Sequence, residues 1–318
     1  MFEDWGQIDF QIRPLDDIIV TMMSADTPRA SVVIPTIGRG ELLIDTLSHL
    51  LSSGCNGCEI IVVDQTPDPD ESVIEFVKAN RDRIVYVKID EPGLTNARNV
   101  GIEKAGGDVV IFLDDDVVPD ERLVSAHVAA YGGGGVDNVG GVAGRILPPG
   151  EISHEVEQNP KRIAKVRLFG LLIRENFDSD VPTTADHARG CNMSFLKQAL
   201  VKAGGFDLAF GGTAHLEDAD MSLRVRRLGY RMLFCPGASL IHLLEQTGGC
   251  RPKNTRDWFF WYGHNLCRFY RKNFPAYVFP LQCLHFVLRL PFQAVKRGNL
   301  KIVSWGISGF AKSLFEDI

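Results

Sequence analysis

No stretch of this sequence runs for twenty residues without a proline or a polar side chain, so a bilayer-spanning helix is not expected from it. It opens with no basic, apolar and small-residue leader, and secretion is not expected either. Its cysteines are seven, an odd number, and scattered, which argues against a disulfide framework and for a reducing, cytoplasmic setting. Cys55 and Cys58 form a Cys-x-x-Cys pair, but no second pair lies at zinc-finger spacing, so both are read as ordinary thiols in a Gly-containing turn. The Gly-rich run YGGGGVDNVGG (131–141) lacks a Walker lysine and does not pass from a strand into a helix. It is read as a flexible surface loop and not as a phosphate cradle.

What is present is unevenly distributed. With 318 residues, 45% hydrophobic and 23% charged, the chain is long enough to bury a large core as a soluble globular protein. Residues 251–318 hold eleven Lys and Arg against three acids, a net charge of +8, whereas the other 250 residues carry −14. The same tail holds 15 of the 29 aromatic residues, so a boundary is placed near residue 250. The expected division is an N-terminal segment (1–29), a main domain (30–250, with halves at about 30–118 and 119–250) and a helical C-terminal region (251–318).

In the main domain, short β-branched runs at SVVIP (31–35), EIIVVD (59–64), RIVYVKI (83–89) and DVVIFLD (108–114) alternate with helical stretches such as ELLIDTLSHLLSS and TNARNVGIEKA. Apolar strands without polar alternation suit a sheet covered on both faces, which predicts an α/β, doubly wound, mainly parallel sheet. In such sheets ligands bind beyond the carboxyl ends of the strands. Those ends carry Pro35 and Thr36, then Asp64, then Glu91-Pro92-Gly93, then Asp114, Asp115 and Asp116. A single strand-end aspartate is usually a turn or a cap. Three in a row repel one another unless a cation sits among them, and hard divalent ions that also hold a substrate phosphate prefer such oxygen ligands.

A second acidic group occurs in HLEDADMSLRVRRLGY. It reads as a helix from about Glu217, with Met221, Val225 and Leu228 on the buried face and Gly229 as its stop. Glu217, Asp218 and Asp220 in its first turn suit the helix dipole without any chemistry, and suit catalysis equally well.

The blocks SVVIPTIGR, IIVVDQTPD, GLTNARNVGIEKAGGDVVIFLDDDVVPD, RGCNMSFLKQALVKAGGFD and HLEDADMSLRVRRLGYRM, in this order over about residues 31–245, resemble family 2 glycosyltransferases of the GT-A fold. The resemblance implies a nucleoside-diphosphate-sugar donor, with UDP- or dTDP-sugars favoured, a divalent metal (Mn2+ or Mg2+) and inverting transfer to an acceptor hydroxyl. Pro35, Thr36 and Asp64 would line the nucleoside pocket, and Arg98 would lie near the base or phosphates. Asp114 and Asp116 match the ends of the Asp-x-Asp motif, Asp116 on the metal and Asp114 toward the ribose or the metal, with Asp115 beside the nucleotide. Asp218 matches the general base, and Glu217 would place it or bind the acceptor. Gly190, Cys191 and Asn192 match the segment lining the donor-sugar pocket. His242, ending an apolar run, would be a further metal ligand, with His215 a weaker candidate.

The Gln-x-x-Arg-Trp block of processive, membrane-spanning relatives is missing, which points to single additions. The run WYGHNLCRFYRKNFP is similar to that of bacterial, rhamnosyltransferase-like enzymes that build cell-surface polysaccharide or lipid-linked glycans. Ala276 to Leu290, the most apolar part of the tail, contains Pro280, Gln282, His285 and Arg289. It is expected to lie in the interface of an anionic membrane, with the enzyme peripheral on the inner face of the cell membrane; packing of the aromatics against the catalytic domain is the alternative. Basic and aromatic interleaving alone, without a recognised module, does not point to nucleic acid. Two other functions remain open. Gly38-Arg39-Gly40 hints at a sugar nucleotidyltransferase, and a non-catalytic nucleotide-sugar binding protein is the third reading.

Overall fold

The structure is a computed structural model, and it describes residues 29–54, 57–132, 137–152, 154–245, 248–249 and 254–318. The N-terminal segment and most of the glycine run 133–136 therefore lie outside the described residues. The sheet begins with four parallel strands in the order β3-β2-β1-β4: β1 (Ala30–Thr36), β2 (Glu59–Asp64), β3 (Ile84–Lys88) and β4 (Val109–Leu113). Helices α1 (Gly40–His49), α2 (Glu71–Ala79) and α3 (Leu94–Lys104) connect them. The apolar runs are buried on both faces, and alternate residues serve different layers. Val33, Ile61, Val110 and Phe112 pack with Ala97 and Ile102 of α3, whereas Val32, Ile34, Ile60 and Ile111 pack with Leu43, Leu47, Val73 and Val77 of α1 and α2. A helix on each face is what leaves no polar position along these strands.

Past β4 the sheet changes character. A short β5 (Val117–Pro119) and helix α4 (Leu123–Ala129) lead to β6 (Val139–Leu147), followed by a two-stranded ribbon of β7 (Lys165–Arg167) and β8 (Leu172–Arg174). Then come β9 (Thr183–Ala185), β10 (Asn192–Leu196), α5 (Lys197–Lys202), α6 (Glu217–Arg227) and β11 (Arg231–His242). Strand β10 is antiparallel to both β4 and β6, and β11 runs parallel to β6 and antiparallel to β5 and β9. The fold is thus a mainly parallel sheet with an antiparallel insertion.

Several expectations need correction. Residues 139–141 end the supposed surface loop but belong to buried strand β6, where Gly141 lies against Met232 and Phe195 and leaves no room for a Cβ. The absence of a side chain there serves packing. In α6, Met221 and Val225 are buried, but Leu228 is 45% exposed at the C-cap, while Gly229 takes the left-handed conformation (φ +88°) that ends the helix. Cys58, expected as an ordinary thiol, is disulfide-bonded.

The C-terminal region folds as α7 (Thr255–Asn273), α8 (Phe279–Lys296) and α9 (Lys301–Leu314). The expected breaks in α8 do not interrupt it. Pro280 falls in the first turn, where its missing N–H is no loss, and Gln282 turns inward to donate to the Phe169 carbonyl at 2.7 Å. By length and composition Ala276–Lys296 is therefore apolar and long enough to cross a membrane, with 28% of it buried. Phe286, Leu290 and Ala294 face the protein and share a core with Phe259, Phe269, Ile302 and Phe310, into which Phe210, Leu216 and Ala219 of the main domain also pack. Its outer face is equally apolar: Leu281, Leu284, Leu288, Phe292 and Val295 are all exposed.

Charge fastens α7 to the main domain. Asp207 accepts from Arg268 Nε (2.8 Å) and Nη2 (3.1 Å) and from Lys272 Nζ (2.5 Å), and Lys272 also meets Asp220 at 3.1 Å. Burial opposes the charge of Asp207, but these two cations hold its pKa down at about 2. Because the folded value lies below the unfolded one of roughly 3.9, the stabilisation is complete above that pH and is lost as pH falls toward 2. Asp207→Asn is expected to cost about 2–4 kcal/mol at neutral pH, because it strands two partly buried cations. Urea denaturation of both proteins from neutral pH to pH 2 checks this: the gap between them should close in acid.

Candidate active site

The carboxyl edge of the parallel strands gathers the predicted acids, and the chain supplies basic partners for the three consecutive aspartates. Asp115 is buried at the turn between β4 and β5. It accepts from Thr36 Oγ1 at the end of β1 (2.7 Å) and from Arg39 at 2.9 Å. Thr46 of α1 braces the same turn by donating to the Asp115 and Val117 carbonyls at 3.0 and 2.9 Å. Burial pushes Asp115 up to about 6 against these two hydrogen bonds. Asp116 lies 3.3 Å from Arg39 and 3.1 Å from His242 Nε2, and it accepts from the Glu245 amide at 3.0 Å. Despite burial, the hydrogen bond and charge of His242 hold its pKa below the ordinary carboxylate range.

His242 reaches this point through strand pairing. Register His242↔Val117 between β11 and β5 sets the imidazole one residue from the aspartates, 3.7 Å from Asp114 Oδ2. Asp114, Asp116 and His242 each offer a ligand atom, all within 4.8 Å of one another. The two carboxylates suit Mn2+ or Mg2+, and the imidazole favours Mn2+ of the two. Burial raises the pKa of Asp114, with Arg98 and His242 opposing. A carboxylate held in so costly a place, on the rim of this group, fits the demand of a cation. His215 is not part of the group; its ring lies against Tyr262 at 5.4 Å.

The expected nucleoside wall is largely tied up by its own neighbours. Pro35 is buried within β1. Asp64 accepts from the Thr66 amide and the Tyr86 hydroxyl, both at 2.7 Å, and Gln65 Oε1 accepts from the Gly93 amide at 2.7 Å. Arg98, expected near the base or the phosphates, lies against Gly190 and beside Asp114. Fully buried in α3, it donates to Glu217 and lies 4.0 Å from Asp114, so one guanidinium joins the two acidic groups. Gly190 lies so close to Arg98 that a Cβ would meet its guanidinium, and the Gly190 amide donates to Asp218 Oδ2 at 2.9 Å. The Ala219 amide holds the other oxygen at 2.7 Å. Asp218 is half-buried, whereas Glu217 is buried and raised by desolvation and by the charge of Asp218. Asp220, the third acid, turns away to Arg224, Lys272 and Asn273.

Cys191 and Asn192 are inside. Burial, with Asp114 adding to it, raises the Cys191 thiol well above its ordinary value and keeps it neutral. Asn192 bonds His127 Nε2 at 2.8 Å and donates to the Arg145 and Ala238 carbonyls at 2.8 and 2.9 Å, joining β6, β10 and the β11 bulge. Asn192→Ala is expected to destabilise the fold by about 3 kcal/mol, since it leaves several buried groups without partners. Thermal unfolding beside the wild type measures it.

Sequence reasoning missed Thr46 and Tyr86, and it read Arg39 only as part of the Gly38-Arg39-Gly40 turn and not as the partner of Asp115 and Asp116. For Arg39 the signal was the repulsion among the three aspartates; Gly38 at φ +64° supplies the left-handed turn before it.

A parallel sheet whose carboxyl edge brings together an Asp-x-Asp turn, a strand-end histidine and an acidic helix start is the framework of a GT-A glycosyltransferase. Glycosyl transferase family 2 matches residues 31–200, more than half of the chain, and the protein belongs to that family. It is similar to glycosyltransferase AglE of Haloferax volcanii (25% identity over 202 residues, 59% of this chain and 66% of AglE). It is also similar to the poly-beta-1,6-N-acetyl-D-glucosamine synthase of Staphylococcus aureus (26% over 255 residues, 79% of this chain and 58% of the synthase). A shorter match, 34% over 102 residues, is to the GalNAc(5)-diNAcBac-PP-undecaprenol beta-1,3-glucosyltransferase of Campylobacter jejuni, covering 31% of this chain and 32% of that enzyme. The chain thus spans from about a third to two thirds of the length of these relatives. Among solved structures, the fold resembles GalNAc-T7 with UDP, GalNAc and Mn2+ (TM-score 0.56, 18% identity, 76% of this chain and 51% of that one). It also resembles mannosyltransferase PcManGT from Pyrobaculum calidifontis with GDP-Man and Mn2+ (TM-score 0.56, 15%, 96% and 94%). At these identities the likeness is one of fold.

Proposed function

We propose that this glycosyltransferase moves a sugar from a UDP- or dTDP-sugar to an acceptor hydroxyl by a metal-dependent, inverting displacement, in polysaccharide or lipid-linked glycan synthesis. The observation that carries the reading is Arg98, which bonds Glu217 and lies 4.0 Å from Asp114, so that the Asp114, Asp116 and His242 group and the carboxylate of Asp218 share one site. Asp114, Asp116 and His242 would hold the divalent metal, Mn2+ or Mg2+, which neutralises charge on the departing nucleoside diphosphate. Asp218 takes the proton of the attacking hydroxyl at Oδ1 or Oδ2, both already oriented by backbone amides. Glu217 is fixed by Arg98 and sets the start of α6, while Gly190 fixes Asp218. Thr36, Asp64 and Asp115 shape the nucleoside end of the cleft. Attack opposite the leaving group inverts the anomeric centre without a covalent intermediate. The UDP of one structural neighbour and the GDP-Man of the other support a nucleoside-diphosphate donor.

The enzyme works at the inner face of the cell membrane, with 251–318 against anionic lipid. The support is the exposed apolar face of α8, bordered by Arg289, Lys296, Arg297 and Lys301. Calorimetric titration with UDP, dTDP and GDP, with and without Mn2+, tests the catalytic reading. One nucleotide binding only with the metal is the expected result; no binding of any would overturn it.

A further inference from the structure

The loop that leads into α6 is strained. Ala214 (φ +51°) and Leu216 (φ +73°) both lie in the left-handed region, which residues with a Cβ keep only where their surroundings force it. Leu216 directly precedes Glu217 and Asp218, so whatever holds this loop places both acids. Inside it, the Ala214 amide donates to the Gly211 carbonyl and the Glu217 amide to the Ala214 carbonyl, both at 3.1 Å. Helix α7 supplies the hold from outside. Trp261 lies so close to Gly211 and Gly212 that a Cβ on either would strike its indole. Four residues on, the fully buried Asn265 donates from Nδ2 to the same Gly211 carbonyl at 3.0 Å. Its Oδ1 faces His264 Nδ1 at 3.0 Å, and His264 Nε2 lies 2.8 Å from Oε2 of Glu316, just past α9. Both nitrogens of the buried imidazole thus meet acceptors, which the imidazolium alone satisfies together. Arg268 and Arg271, on the same face of α7, fix the far end by donating to the Asp317 carbonyl at 2.8 Å and the Glu316 carbonyl at 3.1 Å. One line of hydrogen bonds therefore runs from Glu316 through His264, Asn265, Gly211 and Ala214 to Glu217.

We propose that Asn265, His264 and Glu316 are positioning residues for the acids at the start of α6, acting through the Gly211 carbonyl and the backbone of residues 211–217. The proposal rests on the reading of Asp218 as the general base and adds to it a set of residues in the C-terminal helices. The oxygens of Asp218 meet the Gly190 and Ala219 amides only while α6 begins where it does. Proton transfer needs its partners within hydrogen-bond reach, so a small displacement of that helix start is costly in rate. Releasing the Gly211 carbonyl lets the strained loop relax and carries the helix start with it. Asn265 holds that carbonyl directly. Glu316 and His264 act one step behind it, by fixing the Asn265 carboxamide with its Nδ2 toward the loop. The C-terminal helices thereby take part in the chemistry of the main domain, independently of any contact with lipid.

The test is amide hydrogen exchange of the full chain, read on peptides spanning 208–220, for the wild type, Glu316→Ala, Glu316→Gln, Asn265→Ala and the double variant Glu316→Ala with Asn265→Ala. Each alanine removes about one hydrogen bond from the line, so the Ala214 and Glu217 amides should exchange roughly tenfold faster while β1–β4 keep their wild-type rates. The double variant should add little to Asn265→Ala, because the two residues act in series. Glu316→Gln, which keeps an acceptor for His264, should recover part of the protection. Glu316 has 32% of its side chain exposed and borders an open cavity of about 360 Å3, so its replacement leaves the fold intact even where Asn265→Ala does not, and a thermal melt checks both. In Mn2+-dependent hydrolysis of UDP-glucose or dTDP-glucose, where water stands in for the acceptor, Glu316→Ala should lower kcat roughly tenfold and leave the calorimetric Kd for the nucleotide unchanged. Faster exchange confined to α9 and the residues after it, strictly additive effects in the double variant, or an unchanged kcat would overturn the proposal and leave a network that serves stability alone. Asp218→Asn in the same assay reports separately on the base: hydrolysis at the wild-type rate would sink that reading whatever the loop does.

Discussion

Asp218→Asn is expected to lower kcat by about 10²–10⁴-fold while leaving the Kd for the donor nucleotide within about twofold of wild type. The carboxylate sits in the first turn of α6, with one oxygen on the Gly190 amide and the other on the Ala219 amide. Asparagine is nearly the same size and keeps one oxygen for one of those amides, while its NH2 cannot accept from the other, so the fold is kept at the loss of one hydrogen bond. What it loses is the ability to accept the acceptor's proton as the new bond forms. The neighbouring Glu217→Gln behaves differently in kind, because it removes the buried partner of Arg98 and so lowers stability together with activity. Steady-state transfer kinetics, nucleotide calorimetry and thermal melts on both variants separate the two effects. If Asp218→Asn turns over at the wild-type rate, Asp218 is an N-terminal helix acid and no base.

The contrast between Asp218 and Arg98 shows what the sequence made legible. Period and composition carried the four parallel strands and their connecting helices, because each apolar run has to be covered on both faces. The acids at the strand ends were visible because three like charges in series demand an explanation. For Arg98 the resemblance implied a place near the base or the phosphates and gave no sign of its ion-pair partner. That partner, Glu217, is 119 residues away, and only the packing of α3 under Gly190 brings them together. The Asp207 clasp on Arg268 and Lys272, and the Asn192 carboxamide joining three strands, were hidden for the same reason. The glycines of β6 misled because a strand that must let Met232 and Phe195 approach looks, residue by residue, like a loop. Helix α8 misled in the opposite sense: its polar residues were counted as breaks, although Gln282 points inward and finds a carbonyl.

Asp116→Ala is expected to weaken Mn2+-dependent nucleotide binding by at least about 100-fold, and chelation of the metal from the wild-type protein should reproduce most of that loss. The argument starts from what Asp116 holds. Its two oxygens meet His242, Arg39 and the Glu245 amide, so the single carboxylate both offers a ligand atom and ties the end of β11 to the Asp-x-Asp turn. Removing it takes away one of three candidate ligands and the anchor of a second, His242. Asp115 serves as the contrast. It lies between the two candidate ligands but is turned to Thr36 and Arg39, so Asp115→Asn should lower stability more than metal affinity. Calorimetry of the two variants with nucleotide, with and without Mn2+, distinguishes a metal centre from a network of ion pairs. Should wild-type nucleotide binding ignore both the metal and its chelation, the positive charge facing the diphosphate comes from Arg39, and Asp116 is its counter-charge.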